Sequence, residues 1–215
     1  TAGLCLENSH NYHGGTVIGS GDMARLGRYA RDRGLFLHLD GARLFHAAAS
    51  LGVTPGELAA PADSLMFCLS KGLAAPVGSL LCGSRDFIAA ARHHRRTLGG
   101  AMRQVGVLAA AGLVALREMT LRLPDDITRA RRLAVAMAEM PGLTIDPAGV
   151  ATNIVIITVG PQARPVEEIV RGLEAERVLA LPFGPGRIRF VTHADIDDAD
   201  IKRAVSALAK VSKRA

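Results

Sequence analysis

Tryptophan is absent from this sequence, and aromatic residues make up only 4% of its 215 positions. A nucleic-acid module that stacks bases on aromatic side chains is therefore disfavoured. The net charge is +6, yet the basic residues are scattered through segments such as "ARHHRR" and "RARR". Because a dispersed basic surface is typical of a solvated protein face, we expect no nucleic-acid partner.

Cysteine and long apolar runs are also scarce. The three cysteines, Cys5, Cys68 and Cys82, form no CxxC pair, and two of them lie in apolar runs. Core thiols in a reducing cytoplasm are the first interpretation and a zinc site a distant second, so we expect no metal. No apolar run approaches the roughly 18 residues that a membrane span needs. The sequence predicts a soluble cytoplasmic protein with neither a membrane partner nor a signal segment.

The first half of the chain alternates strand-like and helix-like segments. Strands are predicted at 3–8, 35–39, 64–69 and 77–83, and helices at 23–33, 44–49 and 84–95. Asp22 is predicted to N-cap the first of these helices, and Thr54 and Glu57 to form a capping box. This order is typical of an open α/β sheet, in which ligands bind at the carboxyl ends of the strands.

The second half predicts a smaller domain. A helix is expected over 105–122, followed by a break at Pro124. The predicted elements beyond it are helices at 127–140, 166–176 and 196–211 and strands near 143–146, 153–159, 178–181 and 187–192. We therefore predict a larger α/β domain over residues 1–123 and a small C-terminal α+β domain over residues 124–215. The opening "TAGLCLENSH" is typical of a buried strand without a lead-in, so we also expect an upstream segment.

Two residues at predicted strand ends could carry chemistry. Asp40 ends the run "FLHLD", where it either caps the next helix or supplies a negative charge to a cation above the strand. Lys71 follows "MFCLS", where it either extends past the strand end or, in a dry site, forms an imine with an aldehyde. An aspartate for a pyridine nitrogen and a lysine for an aldehyde match the chemistry of pyridoxal 5'-phosphate (PLP). His10 and His13, in the turn-rich segment after the first strand, are weaker candidates.

Arginines supply candidate ligands for anions. Arg43 is predicted in the first turn of a helix, where a cation is slightly unfavourable unless an anion is near. Arg187 and Arg189 share one face of the strand in "RIRFVTH", and either could point inward to bind a carboxylate. Arg103, in "GGAMRQVG", lies beside glycines at a predicted helix start, where either phosphate binding or a plain turn is possible.

Five segments also resemble a known family. "LENSHNYHGGTV", "LHLDGARLFHAA", "CLSKGLAAPVGSLLCGSRDFI", "GGAMRQVGVLAAAGLVAL" and "IRFVTHADI" occur in the order found in low-specificity L-threonine aldolases. Those are PLP enzymes of the aspartate aminotransferase-like fold. The resemblance covers nearly the whole chain and implies a PLP-dependent transferase-like (fold type I) architecture, with a mainly parallel sheet and flanking helices. Residues 1–123 would then be the C-terminal part of the large PLP-binding domain.

The resemblance also implies roles for particular residues. Lys71 would be the catalytic residue that carries PLP as a Schiff base, and Asp40 would pair with the pyridine nitrogen. Arg43, beside the cofactor, and Arg189 would hold the substrate carboxylate, while Arg103 would approach the cofactor phosphate at a subunit interface. The implied reaction is reversible cleavage of L-threonine or L-allo-threonine to glycine and acetaldehyde, in a homo-oligomer (dimer or tetramer).

The chain departs from the family pattern in two places. It contains "GGTVIGSGDM" where the family usually has "GGTVLPLEEL", and it lacks the N-terminal stretch that supplies a phosphate loop and a ring-stacking histidine. An upstream fragment of the same protein is therefore an expected partner. Two alternatives remain open: another PLP-dependent lyase of the β-eliminating type, and a non-catalytic fragment.

Overall fold

The structure is a computed structural model that describes residues 1–213. It divides into two compact units, the first formed by residues 1–9 and 17–123 and the second by residues 10–16 and the chain from Pro124 onward. The short segment 10–16 thus belongs with the C-terminal half of the chain, although it follows the first strand in sequence.

The first unit is built on a four-stranded sheet. Its strands are β1 (Gly3–Glu7), β2 (Phe36–Asp40), β3 (Ser64–Cys68) and β4 (Ser79–Gly83), in the spatial order β1-β2-β3-β4. Its helices are α1 (Ser20–Asp32), α2 (Leu44–Leu51), α3 (Pro55–Ala59), α4 (Arg85–Thr97) and α5 (Gly106–Arg117). The first three strands are parallel and β4 is antiparallel to β3, so the predicted mainly parallel α/β sheet is confirmed.

Connection length explains the direction of β4. A parallel neighbour requires a crossover, usually through a helix, and helices connect β1 to β2 and β2 to β3. The link 69–78 contains no helix, and its ends meet where the Leu69 N–H donates to the Gly78 carbonyl at 2.9 Å. The chain therefore turns back and pairs in the antiparallel sense.

Apolar residues from strands and helices form two clusters in this unit. One includes Met23, Leu39, Leu44 and Leu58 and joins α1, α2 and α3 to the sheet. The other includes Leu69, Leu73, Ala115 and Leu123 and secures the link after β3. Burial of each large side chain contributes about 1.5–3 kcal/mol, so both the sheet and this link are held by the core.

The second unit contains a four-stranded antiparallel sheet in the order β5-β6-β8-β7. Its elements are α6 (Leu123–Ala138), β5 (Leu143–Thr144), β6 (Ile154–Val159), α7 (Val166–Ala175), β7 (Leu181–Pro182), β8 (Arg187–Val191) and α8 (Asp198–Val211). A single apolar cluster contains fully buried residues of α6, β6, α7 and β8, among them Met137, Ile157, Ile169 and Ile188.

Several sequence predictions about local structure are confirmed and others are wrong. The capping box of Thr54 and Glu57 is present. Asp22 is not a cap, because α1 begins earlier, after Gly19, and places Asp22 in its first turn. The predicted helix over 105–122 is divided: α5 ends at Arg117 and a 3₁₀ turn covers Met119–Arg122.

Pro124 does not interrupt a helix either. It lies in the first turn of α6, where proline is tolerated because that N–H has no helical acceptor. The cysteines also differ from the expectation of core thiols, since Cys5 is exposed and Cys68 and Cys82 are half-buried. All three are free thiols.

None of the helices in residues 1–213 is both long and apolar enough to cross a membrane. Within the same residues, no cluster of three or more His, Cys, Asp or Glu side chains could hold a metal ion.

Candidate active site

Asp40 is the last residue of β2 and lies at the carboxyl edge of the first sheet. It is in register with Glu7 on one side and Met66 on the other. Its carbonyl accepts the Asn8 N–H at 2.9 Å, and its Oδ1 accepts the Ala42 N–H at 3.0 Å. Backbone groups thus hold this half-buried carboxylate in place, and a carboxylate with one such bond retains further acceptor capacity.

The simple capping explanation for Asp40 is wrong. The N-cap of α2 is Arg43, whose carbonyl accepts the N–H groups of His46 and Ala47 at 3.0 and 3.1 Å. Asp40 instead closes the short turn that leads into this helix. Arg43 lies three residues after the aspartate and is half-buried. One turn therefore carries both a carboxylate and a guanidinium.

Lys71 lies in the link between β3 and β4, and its side chain is exposed, so of the two interpretations left open by the sequence the dry site is not the one observed. The link itself is well anchored. The Lys71 carbonyl accepts the Ala74 N–H at 2.9 Å, and the Leu69 carbonyl accepts the Ala75 N–H at 3.0 Å. Leu73 and Ala75 are buried, so the backbone that presents Lys71 is fixed while its amine is accessible.

The sheet brings Asp40 and Lys71 to one edge. Because β2 and β3 are parallel neighbours, their carboxyl ends lie side by side. The Gly41 N–H donates to the Met66 carbonyl at 2.8 Å, which continues this pairing beyond Asp40. From Met66 the chain runs through the end of β3 directly to Lys71. An acid and an amine therefore lie at strand ends of one sheet, as the sequence predicted, and the structure shows that these strands are neighbours.

Arg103 is less closely related to this edge. It is exposed between α4 and α5, and α5 begins three residues later, at Gly106. The following residue, Gln104, has a φ of 47°, a left-handed conformation that is uncommon for a residue other than glycine. None of the hydrogen bonds and ion pairs described for residues 1–213 joins Arg103 to Asp40 or Lys71.

In the second unit, two arginines of β8 share a face but differ in their surroundings. Arg189 donates from Nη1 to Asn11 Oδ1 at 2.8 Å, and its guanidinium carbon lies 4.7 Å from the centre of the Phe183 ring. Its Nε is buried and has no hydrogen-bond partner within residues 1–213. Arg187 instead stacks over Tyr12, at 4.7 Å from the ring centre.

A buried N–H without an acceptor is costly, so an acceptor that reached it would be stabilised. Both cations lie over aromatic rings, but within residues 1–213 a buried N–H without a partner is described for Arg189 and not for Arg187. The geometry therefore favours Arg189 over Arg187 as a carboxylate ligand.

The sequence did not single out Asn11, although it orients Arg189. Asn11 belongs to segment 10–16, which contains two glycines with φ of 75° and 78°, Gly14 and Gly15. The Gly15 carbonyl accepts the Thr152 hydroxyl at 3.1 Å, so the segment is attached to the rest of its unit. A turn-rich "NYHGG" beside a strand end was the available signal, but the contact to Arg189 depends on tertiary folding.

Three further polar residues were either weak candidates in the sequence or not singled out by it. His10 and His13 contact each other, with ring centres 4.7 Å apart and the His13 N–H donating to His10 Nδ1 at 3.3 Å. Glu7, which the sequence did not single out, is the acid in register with Asp40.

The side chains at the sheet edge of the first unit fit PLP. A backbone-held carboxylate suits a protonated pyridine nitrogen, and an accessible lysine amine at the same sheet edge suits an aldehyde. In the second unit, the unused N–H of Arg189 suits the carboxylate of an amino acid.

Comparison with known sequences identifies relatives. The family model described as beta-eliminating lyase matches residues 1–160. Low-specificity L-threonine aldolase 1 of Arabidopsis thaliana is 41% identical over 204 residues, which cover 94% of this chain and 57% of the relative. The low specificity L-threonine aldolase of Escherichia coli (strain K12) is 39% identical over 195 residues, covering 90% of this chain and 55% of the relative. The chain thus spans a little more than half the length of these relatives.

Solved structures with the same fold include three pertinent examples. A PLP-dependent aminotransferase from Streptococcus suis superimposes with a TM-score of 0.76 at 17% identity, over 100% of this chain and 59% of that one. Threonine aldolase of Leishmania major superimposes with a TM-score of 0.74 at 18% identity, over 97% of this chain and 60% of that one. A variant aspartate aminotransferase of Thermus thermophilus superimposes with a TM-score of 0.71 at 18% identity, over 98% of this chain and 57% of that one. At these identities the similarity shows the fold alone.

Proposed function

Because the chain belongs to the beta-eliminating lyase family, we propose that this protein is a PLP-dependent aldolase that cleaves L-threonine and L-allo-threonine to glycine and acetaldehyde. When bound, PLP supplies an electron sink for the electron pair released at Cα by carbon–carbon cleavage. The observation that carries the proposal is the placement of Asp40 at the carboxyl end of β2 and of Lys71 just beyond that of β3, its parallel neighbour. The names of the Arabidopsis and Escherichia coli relatives support the substrate.

The first unit would hold the cofactor. Asp40 binds the ring nitrogen and keeps it protonated, since a fixed negative charge favours the cationic form of a nearby base. Lys71 binds the aldehyde carbon through Nζ, which its exposure leaves accessible. Arg103 binds the phosphate, an assignment supported by its charge and by the motif in which it lies rather than by a contact.

Two arginines would bind the substrate carboxylate. Arg189 offers a buried N–H that has no partner among residues 1–213, and Asn11 holds its guanidinium in orientation. Arg43, at the N-cap of α2, adds positive charge in the turn that also carries Asp40. A guanidinium that binds the carboxylate through charge-assisted hydrogen bonds would fix that end of the substrate. The Cα–Cβ bond is then the part left to react.

We extend the proposal to domains and partners. Residues 1–123 are assigned to the C-terminal part of a large PLP-binding domain and residues 124–215 to a small C-terminal domain. A homo-oligomer, as a dimer or tetramer, and an upstream segment of the same protein are supported by exposed apolar side chains on and near α5, including Val107, Leu113, Val114 and Leu121. The three free cysteines support a cytoplasmic location.

The test is an assay of products with L-threonine and L-allo-threonine. The proposal expects glycine and acetaldehyde in equal amounts, and no activity in Lys71→Ala. Arg28→Ala, an exposed substitution on α1, is the matched control and should retain activity. Release of ammonia and a 2-oxo acid, without glycine, would instead favour the β-eliminating alternative that the family description suggests.

Cofactor binding separates a further alternative. Addition of PLP should produce an absorbance band that Lys71→Ala removes. If no such band forms, the chain is a non-catalytic fragment under those conditions, and the aldolase proposal is wrong for it.

A further inference from the structure

His46 is a buried polar side chain that the proposed chemistry does not use. It lies on α2 with 2% of its surface exposed. Its backbone N–H donates to the Arg43 carbonyl at 3.0 Å, so the imidazole projects from the first turn after the N-cap. Its position is therefore tied to the turn that begins at Asp40.

The imidazole packs directly on the residue that follows Lys71. A Cβ added to Gly72 would lie 1.9 Å from His46 Cε1, 2.7 Å from Nδ1 and 3.0 Å from Nε2. Gly72 is buried, and its φ is outside the left-handed region. Glycine is therefore required here for space and not for backbone conformation, because only a residue without a side chain lets the loop lie against the ring.

This contact matters because a lysine side chain is long and flexible. Where an exposed Nζ can reach is decided by the backbone from which it extends, and the backbone at Gly72 rests on His46. On the other side of Lys71, the link is held by Leu69, whose N–H and carbonyl are both hydrogen-bonded to the link. The imidazole thus connects the Lys71 loop to the Asp40 turn, in addition to the hydrogen bond from Gly41 to Met66.

We propose that His46 is a positioning residue whose buried imidazole supports the backbone at Gly72 and so sets Lys71 relative to Asp40. This inference rests on the proposed function, in which Asp40 and Lys71 bind opposite parts of one planar cofactor. A displacement of about 1 Å between groups that act on one ligand can reduce reactivity about a hundredfold. His46 need not touch the cofactor or the substrate to have this effect.

The experiment measures modification of Lys71 directly. The full-length protein is freed of cofactor, incubated with PLP and reduced with borohydride at a series of times, and pyridoxyl-Lys71 is quantified by peptide mass spectrometry. The variants are His46→Ala, His46→Gln, Gly72→Ala and the double variant His46→Ala/Gly72→Ala. His94→Ala, on the exposed surface of α4, and Gly21→Ala, where a Cβ meets nothing within 4 Å, are the matched controls.

The rate is measured at a temperature at which circular dichroism shows each variant to be folded, so that loss of structure is not mistaken for misplacement. We expect His46→Ala and Gly72→Ala each to slow modification about tenfold to a hundredfold. The controls should match the unsubstituted protein, and His46→Gln should recover part of the loss. The double variant should be faster than Gly72→Ala alone, because removal of the ring makes room for the new methyl group.

The outcomes distinguish this inference from the proposed function. If the unsubstituted protein is not modified at Lys71, the proposed function fails. If it is modified and His46→Ala and Gly72→Ala are modified at the same rate, His46 is structural only and the inference is overturned. Should His46→Ala fail to fold, Gly72→Ala and His46→Gln decide between the same two results.

Discussion

The backbone N–H of Gly41 donates to the carbonyl oxygen of Met66 at 2.8 Å, which extends the pairing of β2 with β3 past the end of β2. A Cβ at position 41 would lie 2.8 Å from that same oxygen and 2.8 Å from Leu65 Cδ1. The close approach therefore requires glycine. It keeps the turn that carries Asp40 against the strand that leads to Lys71.

Replacement of Gly41 tests this approach. We expect Gly41→Ala to lower the free energy of unfolding by about 1–3 kcal/mol, because the methyl group meets backbone that cannot rotate away. Urea denaturation measures the change. Gly21→Ala, in α1 with open space around its Cβ, is the control and should not destabilise. Equal stability of the two variants would contradict the packing described for Gly41.

The charge of Asp40 should matter more for chemistry than for folding. In Asp40→Asn the side-chain oxygen still accepts the Ala42 N–H, so we expect a change in unfolding free energy of about 0.5 kcal/mol or less. Each unit by which the ring nitrogen's pKa falls removes about 1.4 kcal/mol of preference for the protonated form. Threonine cleavage should therefore fall at least about tenfold. Parallel losses of activity and stability would argue for a purely structural carboxylate.

Arg189 and Arg187 make a matched pair. Loss of a charge-assisted hydrogen bond of about 1.5–3 kcal/mol predicts that Arg189→Ala raises KM for L-threonine about tenfold to a hundredfold. Arg187→Ala should alter KM far less, since no buried N–H without a partner is described for Arg187 within residues 1–213. Steady-state kinetics on both variants measures the difference. A larger effect at Arg187 would reverse the assignment.

Ala74 lies in the Lys71 link with a φ of 56°. A left-handed conformation costs an alanine roughly 1–2 kcal/mol relative to its ordinary conformations, and glycine adopts it freely. We therefore expect Ala74→Gly to raise the free energy of unfolding by about 1 kcal/mol in urea denaturation. Ala75→Gly, which removes a buried methyl group one residue later, should instead destabilise. If Ala74→Gly also destabilises, the link does not hold this conformation in solution.

Glu57 gives a pH-dependent prediction. The Thr54 backbone N–H donates to Glu57 Oε2 at 2.8 Å, and this bond, with a second from the Thr54 hydroxyl, lowers the pKa of the Glu57 carboxyl. A carboxyl with a lowered pKa stabilises the fold above its unfolded-state pKa, near 4.3, and the contribution disappears as the pH falls through the folded-state value.

The measurement compares unsubstituted protein with Glu57→Gln by urea denaturation at neutral and at acid pH. The stability advantage of the glutamate should be present at neutral pH and vanish below the folded-state pKa. Because the other carboxyls are shared by the two proteins, their titration cancels in the difference. An advantage that persists unchanged in acid would mean that the carboxylate is not a capping ligand.

Much of this fold is already specified locally. The apolar runs of β2 and β3, the capping box at Thr54 and the glycine after α1 are read from neighbouring residues, and each forms the element that such a pattern predicts. Element boundaries were less predictable. Asp22 is an acceptable cap by residue type, but the chain enters α1 at Ser20 because Gly19 already has the extended conformation of an N-cap.

By itself, the sequence determined most of the helices and strands, the α/β class of the first sheet, and the placement of Asp40 and Lys71 at strand ends, because hydrophobic periodicity and capping act within a few residues. Only the tertiary structure decided that Arg43 rather than Asp40 caps α2, that Asn11 holds Arg189, and that His46 rests on Gly72. These contacts join residues distant in the chain or depend on a few ångströms of packing. No local pattern encodes them, since the partner's position is set by the fold as a whole.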